Sequence, residues 1–350
     1  MKLGLVVNDI RTELADYTTT LIALEATNLG HQVWYISLAD FAYDPDENVH
    51  AWARSVPKRR YRSRSVYLED LQDKSATAER IAVDTLDVLL LRNDPAQDVI
   101  ERPWARLVGI NFGRLARRHG VIVLNDPNGL AKAVNKIYLQ YFPVEIRPRT
   151  LISRHPEDIR HFIDEQGGTA VLKPLSGSGG HNVFLIQPQD KANINQIIEA
   201  ICREGYVLAQ EFLPEALRGD TRVFLMNGYP LQCRGHYAVL HRARGQEDGD
   251  FRSNMTAGAV ASVGRVTDAM LQVIETVRPK LVQDGMFFVG LDIVGDKLME
   301  INVFSPGGLE SAQQLEGQNF VRELVQALEH KVESLHRYHR NLDNIELATL

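Results

Sequence analysis

A glycine-rich segment in the middle of the chain contains residue types that could hold a phosphate. It reads VLKPLSGSGG over residues 171–180, with Lys173 followed by Ser176, Gly177, Ser178, Gly179 and Gly180. In a P-loop the lysine follows the glycines, whereas here it precedes them. The segment lies between two strand-like runs, so we predict a hairpin lid whose backbone N–H groups approach phosphate oxygens while Lys173 reaches a phosphate. A hairpin with a purely structural role is the alternative.

Carboxylates near the end of the chain could hold a metal ion. The segment GLDIVGDKLMEIN contains Asp292, Glu300 and Asn302, and residues two apart on a strand share a face. Their neighbours are apolar, and an unpaired carboxylate on so hydrophobic a strand is costly. A hard cation such as Mg²⁺, which takes oxygen ligands, is a suitable partner. A pair of salt-bridged carboxylates is the alternative.

The turn between these residues decides whether Asp292 joins Glu300. A two-residue turn at Gly295-Asp296 would pair Asp292 with Met299 and place Glu300 on the opposite face of the sheet. The two carboxylates share a face only if the loop has an odd count, for example three residues with a bulge. We predict the odd count.

Arginines lie between the glycine loop and the carboxylates. They are Arg222, Arg242, Arg244 and Arg252, and the segment HRARGQEDGDFRSNMTAGA around the last three has few apolar residues. Guanidinium groups bind carboxylates and phosphates through paired hydrogen bonds. The cluster therefore fits an anionic substrate, with ordinary surface arginines as the alternative.

The first third of the chain alternates strand-like and helix-like segments. Apolar runs near residues 2–7, 31–37, 85–92 and 121–125 predict strands, and helices are expected over 17–29 and 103–118. Such alternation is typical of a mainly parallel, doubly wound α/β sheet. Residues 40–80 are polar, and we expect a long irregular excursion there.

After Asn125 the pattern changes to shorter elements. Residues 126–142 predict a helix that begins near Asn128, and four strand-like runs with two helices follow up to residue 213. From residue 220 the runs are typical of antiparallel strands, with Asn227-Gly228 as a strong hairpin signal. A helix over 266–283, two strands and a helix to about residue 336 follow, and we expect the remaining tail to be loosely held.

The composition indicates a globular protein. Hydrophobic residues make up 44% of the chain and charged residues 24%, which are ordinary values for such a domain. No apolar run approaches the ~20 residues that span a bilayer, and the first residues do not fit a signal peptide. Cys202 and Cys233 have no metal-site spacing, which indicates free thiols in a reducing compartment, so we expect a cytoplasmic protein.

The charge distribution bears on nucleic-acid binding. A net charge of −6 argues against a nucleic-acid partner. A basic run over residues 54–64, RSVPKRRYRSR, is the exception, and we interpret it as a mobile loop near an anionic ligand or as a solvated segment. RNA binding through this run is the alternative, and its affinity would fall steeply with salt.

Short motifs along nearly the whole chain form an ordered series. They are KLGLVVNDI, LLRNDP, NKIYLQYF, LKPLSGSGG, LAQEFLP, GDTRVFLMNG, FRSN, FVGLDIVGD and EINVFSP. In this order they resemble the ATP-grasp family and, within it, the bacterial glutathione synthetases. The resemblance implies an α/β protein with the ATP-grasp fold, α+β in its C-terminal part. The implied units are an N-terminal α/β domain over 1–125, a small lid subdomain over 126–213, a C-terminal catalytic subdomain over 214–336 with antiparallel sheets, and a tail over 337–350.

By position, the resemblance also implies roles for individual residues. ATP would be bound by Lys136, Lys173, the loop from Ser176 to Gly180, Gln210, Glu211, Phe212 and Leu213 beside the adenine, and Asp220 near the ribose. Two Mg²⁺ ions, with Mn²⁺ as an alternative metal, would be bound by Asp292, Glu300 and Asn302. Arg222 and Arg242 would flank the reacting carboxyl group. The substrate would be bound by Arg92, Arg252, Asn254, Ser305 and Gly307.

The implied chemistry is a ligation in two steps. The γ-phosphate of ATP passes to a substrate carboxylate to give an acyl phosphate, and an amine then displaces phosphate to form an amide. Phosphoryl transfer needs mainly positioning and charge neutralisation, which these residue types can supply. The expected reaction joins γ-glutamylcysteine to glycine. The expected partners are small molecules rather than a membrane or nucleic acid, and we expect a homo-oligomer, either a dimer or a tetramer.

One motif departs from the resemblance and leaves the acceptor open. Where these synthetases often have Ser-Pro-Thr, this chain has Ser305-Pro306-Gly307-Gly308. EINVFSPGGLES and GDFRSN are closer to related ligases that add glutamate to peptide or protein termini. A ligase that adds a different amino acid to such a terminus is therefore one alternative. A nucleotide-sensing or scaffold protein with an inactive ATP-grasp fold is another, and the presence of all three metal-ligand residues disfavours it.

Overall fold

The computed structural model describes residues 1–73, 76–98, 101–177, 180–190, 192–243 and 260–350. The strands are Lys2–Val7 (β1), Gln32–Ser37 (β2), Phe41–Tyr43 (β3), Val49–Ser55 (β4), Thr77–Ala82 (β5), Val88–Leu91 (β6), Ile122–Leu124 (β7), Thr150–Ser153 (β8), Ala170–Pro174 (β9), Phe184–Ile186 (β10), Val207–Glu211 (β11), Asp220–Met226 (β12), Tyr229–Pro230 (β13), Gln232–Cys233 (β14), His236–Tyr237 (β15), Val239–Ala243 (β16), Val260–Val263 (β17), Phe288–Val294 (β18) and Lys297–Asn302 (β19).

The α-helices are Thr18–Asn28 (α1), Arg64–Gln72 (α2), Val108–Arg118 (α3), Pro127–Lys132 (α4), Pro156–Glu165 (α5), Ile194–Cys202 (α6), Asp268–Gln283 (α7), Leu309–Glu316 (α8), Phe320–Arg337 (α9) and Asn344–Thr349 (α10). Short 3₁₀-helices are Ile10–Thr12, Leu38–Asp40, Val83–Thr85, Pro103–Leu107, Lys136–Tyr141, Val144–Ile146, Pro188–Asp190 and Pro214–Arg218. No described helix is both long enough and apolar enough to cross a lipid bilayer.

The N-terminal sheet has the predicted parallel core. Its strand order is β3-β4-β2-β1-β6-β7, with β5 paired to β4, and the β2-β1-β6-β7 part is parallel. Alternate residues of β1 enter cores on opposite faces: Leu3 and Leu5 pack in one core and Val6 in the other. Because both faces of this sheet are covered, residues at successive positions of its parallel strands are buried. This explains why these strands are continuous apolar runs.

The expectation of an irregular segment over residues 40–80 is wrong. Strands β3, β4 and β5 extend the sheet by antiparallel pairing, and helix α2 follows β4. In β4 the side chains of Val49, Ala51 and Ala53 are buried, whereas Trp52 is exposed. Because only one face of this strand is buried, polar residues alternate with small apolar ones. That alternation gives the segment its polar composition.

The middle sheet is antiparallel and has a core of its own. Its strand order is β10-β9-β11-β8, and residues from its strands and from α5 and α6 form a separate apolar cluster that includes Ile159, Leu172, Ile198 and Val207. The expected helix over 126–142 is instead two short pieces, α4 and a 3₁₀-helix. The Asn135 side chain accepts a hydrogen bond from the Ile137 N–H and so caps a new turn, which explains the break.

The C-terminal sheet has the order β17-β16-β12-β18-β19, with β13 paired to β12. The predicted hairpin at Asn227-Gly228 is confirmed, and both residues have positive φ, 55° and 80°, as a type I′ turn requires. In the next hairpin Asp292 pairs with Glu300, as predicted. The predicted odd loop count is wrong, because Val294 pairs with Lys297 across a two-residue turn. The extra residue is Met299, which forms a bulge inside β19 and restores the shared face.

The expectation of a loosely held tail is also wrong. Helix α10 begins with a capping box between Asp343 and Glu346. The Asn344 side chain accepts a hydrogen bond from the Val123 N–H at 2.8 Å and donates one to the Val123 carbonyl at 2.8 Å. Leu347 and Ala348 are buried. This segment therefore packs against the edge of the N-terminal sheet at β7.

Candidate functional site

One cavity is lined by members of both sets of residues that the sequence singled out. It lies between the middle sheet and the C-terminal sheet, and its polar lining includes Lys136, Lys173, Gly177, Glu300, Asn302 and Ser305. Its apolar lining includes Val134, Leu139, Leu208 and Met299. Such a site suits a nucleotide. The apolar part could take the base, and the cations and carboxylates could take the phosphates with a metal ion.

The two lysines of this cavity are held close to the glycine loop. Lys136 Nζ donates a hydrogen bond to the Gly177 carbonyl at 2.5 Å, and its backbone N–H donates to the Leu175 carbonyl at 3.0 Å. Lys173 Nζ donates to Gln210 Oε1 at 2.9 Å. The pKa of Lys173 is lowered to about 8, mainly because the side chain is buried. The charge of Glu300 opposes this shift, and the charge of Lys136 adds to it. Two cations in one partly buried cavity favour a polyanionic ligand.

The strand predicted to lie beside the adenine is β11. Gln210 is fully buried and its side chain connects Lys173 on β9 to Thr150 on β8. The Glu211 carboxylate accepts a hydrogen bond from the Arg149 N–H at 3.0 Å. Phe212 and Leu213 follow the strand, and Leu213 is buried. Leu208 is the β11 residue that lines the cavity, so the place of residues 210–213 beside the adenine stays a prediction.

Arg106 is a contact of the glycine loop that the sequence did not indicate. It lies in the 3₁₀-helix Pro103–Leu107 of the N-terminal part, and its Nη2 donates to Ser176 Oγ at 3.3 Å. Its Nε is buried and has no hydrogen-bond partner among the described residues. No local motif marks Arg106, because the contact depends on how two distant parts of the chain pack together.

The predicted catalytic arginines form one network with two carboxylates. Arg222 binds Asp292 through Nε–Oδ1 and Nη2–Oδ2 contacts of 2.7 Å each. Arg242 Nη2 lies 2.7 Å from Asp292 Oδ2, and Arg242 also binds both Asp220 oxygens, at 2.7 and 2.8 Å. The carboxylate of Asp220 is thus bound to Arg242, and its predicted place near the ribose stays a prediction.

Strand register creates this network. On β12, Arg222 lies opposite Asp292 of β18, and Asp220 lies opposite Arg242 of β16. Burial alone would raise the pKa of Asp292, but the charges of Arg222 and Arg242 lower it to about 2. Burial would lower the pKa of Arg242, and Asp292 and Asp220 raise it above its ordinary value. Asp292 and Arg242 are therefore both charged at neutral pH.

A glycine allows the close approach behind the network. Gly219 has a φ of 104°, and a Cβ on it would lie 2.0 Å from the Arg242 carbonyl oxygen. Such a distance is far below contact range, and this backbone conformation favours glycine. Gly219 therefore brings Asp220 next to the strand that carries Arg242.

The predicted metal ligands share one face, and their donor atoms suit Mg²⁺. Asn302 Nδ2 donates to Asp292 Oδ2 at 3.2 Å, which leaves the Asn302 carbonyl oxygen available. No hydrogen bond or ion pair holds the Glu300 side chain within the part of the chain that the structure describes. Carboxylate and amide oxygens are the ligands that Mg²⁺ takes in proteins, so these residues fit the ion.

The segment after β19 is held by two arginines. Arg92 Nη1 and Nη2 contact the carbonyls of Phe304 and Pro306 at 3.5 and 3.4 Å. Arg222 Nη1 donates to the Gly307 carbonyl at 3.0 Å. Ser305 is exposed. A Cβ on Gly307 would have no described heavy atom within 4 Å, so space is open beside this residue.

Some predicted residues fall outside the described ranges, namely Ser178, Gly179, Arg244, Arg252 and Asn254. Gly180 is described and has a φ of 77°. The basic run over 54–64 is anchored at several points. Tyr61 is buried, Lys58 pairs with Asp70 at 2.7 Å, and Arg64 pairs with Glu310 of α8.

Comparison with protein families matches both halves of the chain. Residues 1–131 match the family described as prokaryotic glutathione synthetase, N-terminal domain, and residues 135–317 match prokaryotic glutathione synthetase, ATP-grasp domain. The chain is 31% identical to the glutathione synthetase of Synechococcus elongatus, over 94% of this chain and 98% of that protein. It is 33% identical to the glutathione synthetase of Gloeobacter violaceus, over 93% of this chain and 95% of that protein.

Comparison with solved structures gives similar proteins at low sequence identity. The ATP-grasp ligase PsnB, complexed with a minimal precursor, Mg and ADP, has a TM-score of 0.57 at 15% identity and covers 95% of this chain and 98% of that one. D-cycloserine synthetase DcsG has a TM-score of 0.61 at 12% identity and covers 93% and 99%. These similarities establish the ATP-grasp fold.

Proposed function

Because this chain belongs to the prokaryotic glutathione synthetase family, we propose that it joins γ-glutamylcysteine to glycine with ATP and Mg²⁺, releasing ADP and phosphate. One observation carries the proposal: a single cavity places Lys136, Lys173 and the glycine loop opposite Glu300 and Asn302. Membership of the family makes the protein an ATP-dependent ligase, which fits this arrangement of charges.

Each group of residues would have a distinct role in this reaction. Lys136 and Lys173 bind ATP phosphates and neutralise their charge, and the loop over 176–180 closes above them. Asp292, Glu300 and Asn302 would hold Mg²⁺, which would supply charge neutralisation at the phosphates. Arg222 and Arg242 lie beside Asp292 and flank the reacting carboxyl group. Closure of the loop keeps water from the acyl phosphate.

The bond changes balance without a covalent protein nucleophile. A carboxylate oxygen of γ-glutamylcysteine attacks the γ-phosphorus of ATP, and ADP leaves. The amine of glycine then attacks the carbonyl carbon of the acyl phosphate, phosphate leaves, and the amine loses a proton. The two cysteines of the chain are not needed for either step.

A substrate assay tests the proposal. The purified protein should release phosphate only when ATP, Mg²⁺, γ-glutamylcysteine and glycine are all present. Glu300→Gln should lower this rate by at least about 100-fold, since loss of even an indirect metal contact costs 10–100-fold in affinity or activity. Asp296→Asn, in the exposed turn of the same hairpin, is the control and should keep the rate. No turnover with this substrate pair would refute the assignment.

A second candidate has the same chemistry with a larger amine acceptor, such as an amino acid or a peptide terminus. The open space beside Gly307 favours it, because glycine alone does not require such room. A panel of amines scored by phosphate release distinguishes the two candidates. Phosphate release with larger amines and not with glycine would favour the second.

The organisation of the protein is also part of the proposal. The separate apolar core around Ile159 and Leu172 supports a lid unit within 126–213, between an N-terminal domain over 1–125 and a catalytic subdomain over 214–336. We further propose a cytoplasmic homo-oligomer with two Mg²⁺ ions per site. Size-exclusion chromatography with light scattering would test the oligomer.

A further inference from the structure

One wall of the cavity between the middle and C-terminal sheets is a single stretch of chain, residues 133–139, which we call the wall segment. Its residues that line the cavity are Ala133, Val134, Asn135, Lys136, Tyr138 and Leu139. Part of the segment belongs to the 3₁₀-helix Lys136–Tyr141, which has six residues. A 3₁₀-helix of more than three or four residues is uncommon, because its hydrogen bonds have poor geometry. This one therefore depends on contacts outside itself to keep its shape.

Tyr138 makes such a contact with a buried carboxylate behind the wall segment. Its side chain is buried, and its hydroxyl donates a hydrogen bond to Asp284 Oδ2 at 2.8 Å. Asp284 follows the last residue of α7 and is not among the residues that line the cavity. Its carboxylate can therefore hold Tyr138 in place without contacting a ligand in the cavity.

Asp284 is itself firmly held. It is 1% exposed, and two ammonium groups bind its carboxylate. Lys132 Nζ lies 2.6 Å from Oδ1, and Lys280 Nζ lies 2.8 Å from Oδ1 and 2.7 Å from Oδ2. Burial alone would raise the pKa of Asp284, but the hydrogen bonds from Lys132, Lys280 and Tyr138 lower it below its ordinary value. The tyrosine hydroxyl therefore donates to a charged acceptor, and such hydrogen bonds are stronger than neutral ones.

The backbone around Asp284 also holds the chain just before the wall segment. The Asp126 N–H donates to the Gly285 carbonyl at 2.9 Å. A Cβ on Gly129 would lie 1.9 Å from the Asp284 carbonyl oxygen, so α4 lies directly against the end of α7, at a distance that only glycine allows. The chain is therefore anchored on the end of α7 both before the wall segment and within it.

Lys136 is the residue of the wall segment that this anchoring affects most directly. It is the first residue of the 3₁₀-helix, two positions before Tyr138. Its own contacts, to the carbonyls of Gly177 and Leu175, are with the glycine-rich segment over 171–180. Asp284 belongs instead to the connection between α7 and β18. The place of Lys136 thus depends on both sides of the cavity.

We propose that Asp284 is a positioning residue for ATP, which acts through the Tyr138 hydroxyl to set the place of the wall segment and of Lys136. The inference rests on the proposed function, since it takes this cavity to be the ATP site. Asp284 does not contact ATP in this arrangement. Loss of the Tyr138–Asp284 hydrogen bond should therefore weaken ATP binding although every group that contacts the nucleotide is kept.

Calorimetry of ATP binding to the full chain with Mg²⁺, without acid or amine substrate, tests the inference. Tyr138→Phe removes the hydroxyl and keeps the ring, and it should raise the Kd for ATP at least about 3-fold, within the range that one hydrogen bond supplies. Asp284→Ala should raise the Kd at least as much. The double variant should bind ATP no more weakly than Asp284→Ala, because both substitutions remove the same contact.

Lys280→Met is the control that separates positioning from stability. It removes an ion-pair partner of Asp284 and leaves the hydrogen bond from Tyr138. Lys280 Nζ also lies 5.6 Å from the centre of the Tyr141 ring, but Tyr141 is exposed and is not among the residues that line the cavity. The variant should lower the urea midpoint at least as much as Tyr138→Phe does, since it weakens a buried ion pair. Its Kd for ATP should not change.

An unchanged Kd in Tyr138→Phe would overturn the inference, and this result decides it even if Asp284→Ala does not fold. An equal rise of the Kd in Lys280→Met would also overturn it, because affinity would then merely follow stability. Additive effects in the double variant would exclude the route through Tyr138. A wild-type protein that binds ATP but releases no phosphate with γ-glutamylcysteine and glycine would refute only the proposed reaction, and the Kd values would still decide the role of Asp284.

Discussion

Arg222 and Asp292 form a two-point ion pair across neighbouring strands, with both nitrogen–oxygen distances at 2.7 Å. The two residues lie directly opposite each other on β12 and β18, so the sheet register fixes the pair. Arg242 contacts the same carboxylate at 2.7 Å. A cation that binds Asp292 must therefore share it with two arginines, whereas the Glu300 carboxylate has no ion-pair partner among the described residues.

This difference predicts that two isosteric substitutions have unequal effects on stability. Asp292→Asn leaves Arg222 and Arg242 buried beside a neutral amide, and breaking a buried pair in this way costs about 3–5 kcal/mol. Glu300→Gln breaks no described ion pair and should change the free energy of unfolding by less than about 0.5 kcal/mol. Urea denaturation at pH 7 without Mg²⁺ measures both. Equal losses in the two variants would contradict the pairing.

Gly219→Ala should damage the same network from behind. The added Cβ would meet the Arg242 carbonyl at 2.0 Å, at a φ of 104°, so β12 must move away from β16 and separate Asp220 from Arg242. We expect a loss of about 1–3 kcal/mol in stability together with a lower kcat/KM for phosphate release. Gly295→Ala is the control, because its φ is 59° but no described heavy atom lies within 4 Å of the added Cβ. It should cost about 1 kcal/mol and keep kcat/KM, and an equal loss of kcat/KM in both variants would refute the argument.

Much of the fold was predictable from the sequence, because its parallel strands are continuous apolar runs and its hairpin has the Asn227-Gly228 signal. The shared face of Asp292 and Glu300 was also predictable, because two carboxylates can hold one metal ion only from the same face of the sheet. The bulge at Met299 was not, because an odd-numbered loop would place the two carboxylates on the same face as a two-residue turn with a strand bulge does. The half-buried strand β4 was missed because its alternation of small and polar residues has little hydrophobic signal.

The sequence also did not predict contacts between distant parts of the chain. Arg106 belongs to no motif, and it reaches Ser176 only when the N-terminal part packs beside the glycine loop. The tail was missed for the same reason, since the hydrogen bonds of Asn344 to Val123 join segments more than two hundred residues apart. Local pattern contains no information about such pairs.

The contact between Arg106 and Ser176 predicts an effect on nucleotide binding. Arg106→Ala removes a hydrogen bond from the N-terminal part to the glycine loop, so the loop should close less often over ATP. One such bond contributes about 0.5–1.5 kcal/mol, which corresponds to a roughly 2- to 10-fold higher KM for ATP. Steady-state phosphate release at varied ATP measures it. Arg118→Ala, an exposed arginine of α3, should leave KM unchanged, and an unchanged KM in Arg106→Ala would show that the contact does not support closure.

The buried side chain of Lys331, which lies on α9 and outside the candidate site, should make the stability of the protein depend on pH. The side chain is fully buried, and its Nζ donates to Asn227 Oδ1 at 2.9 Å, to the Ala348 carbonyl at 3.2 Å and to a backbone oxygen of Leu350 at 3.0 Å. Burial lowers its pKa from 10.5 to about 7. Between pH 7 and 10.5 the unfolded chain therefore keeps a proton that the folded chain has lost.

Stability of the wild type relative to Lys331→Met should consequently rise with pH across this window, by up to about 1.4 kcal/mol per pH unit. Below pH 7 both states are protonated and the difference should be constant, at its least favourable value for the wild type. Urea denaturation of both proteins from pH 6 to 9.5 gives the difference directly, and other titrating groups cancel in it. Lys2→Met, at an exposed lysine, should show no such slope. A flat difference between the wild type and Lys331→Met would mean that Lys331 stays charged in the folded protein, held by its three oxygen acceptors.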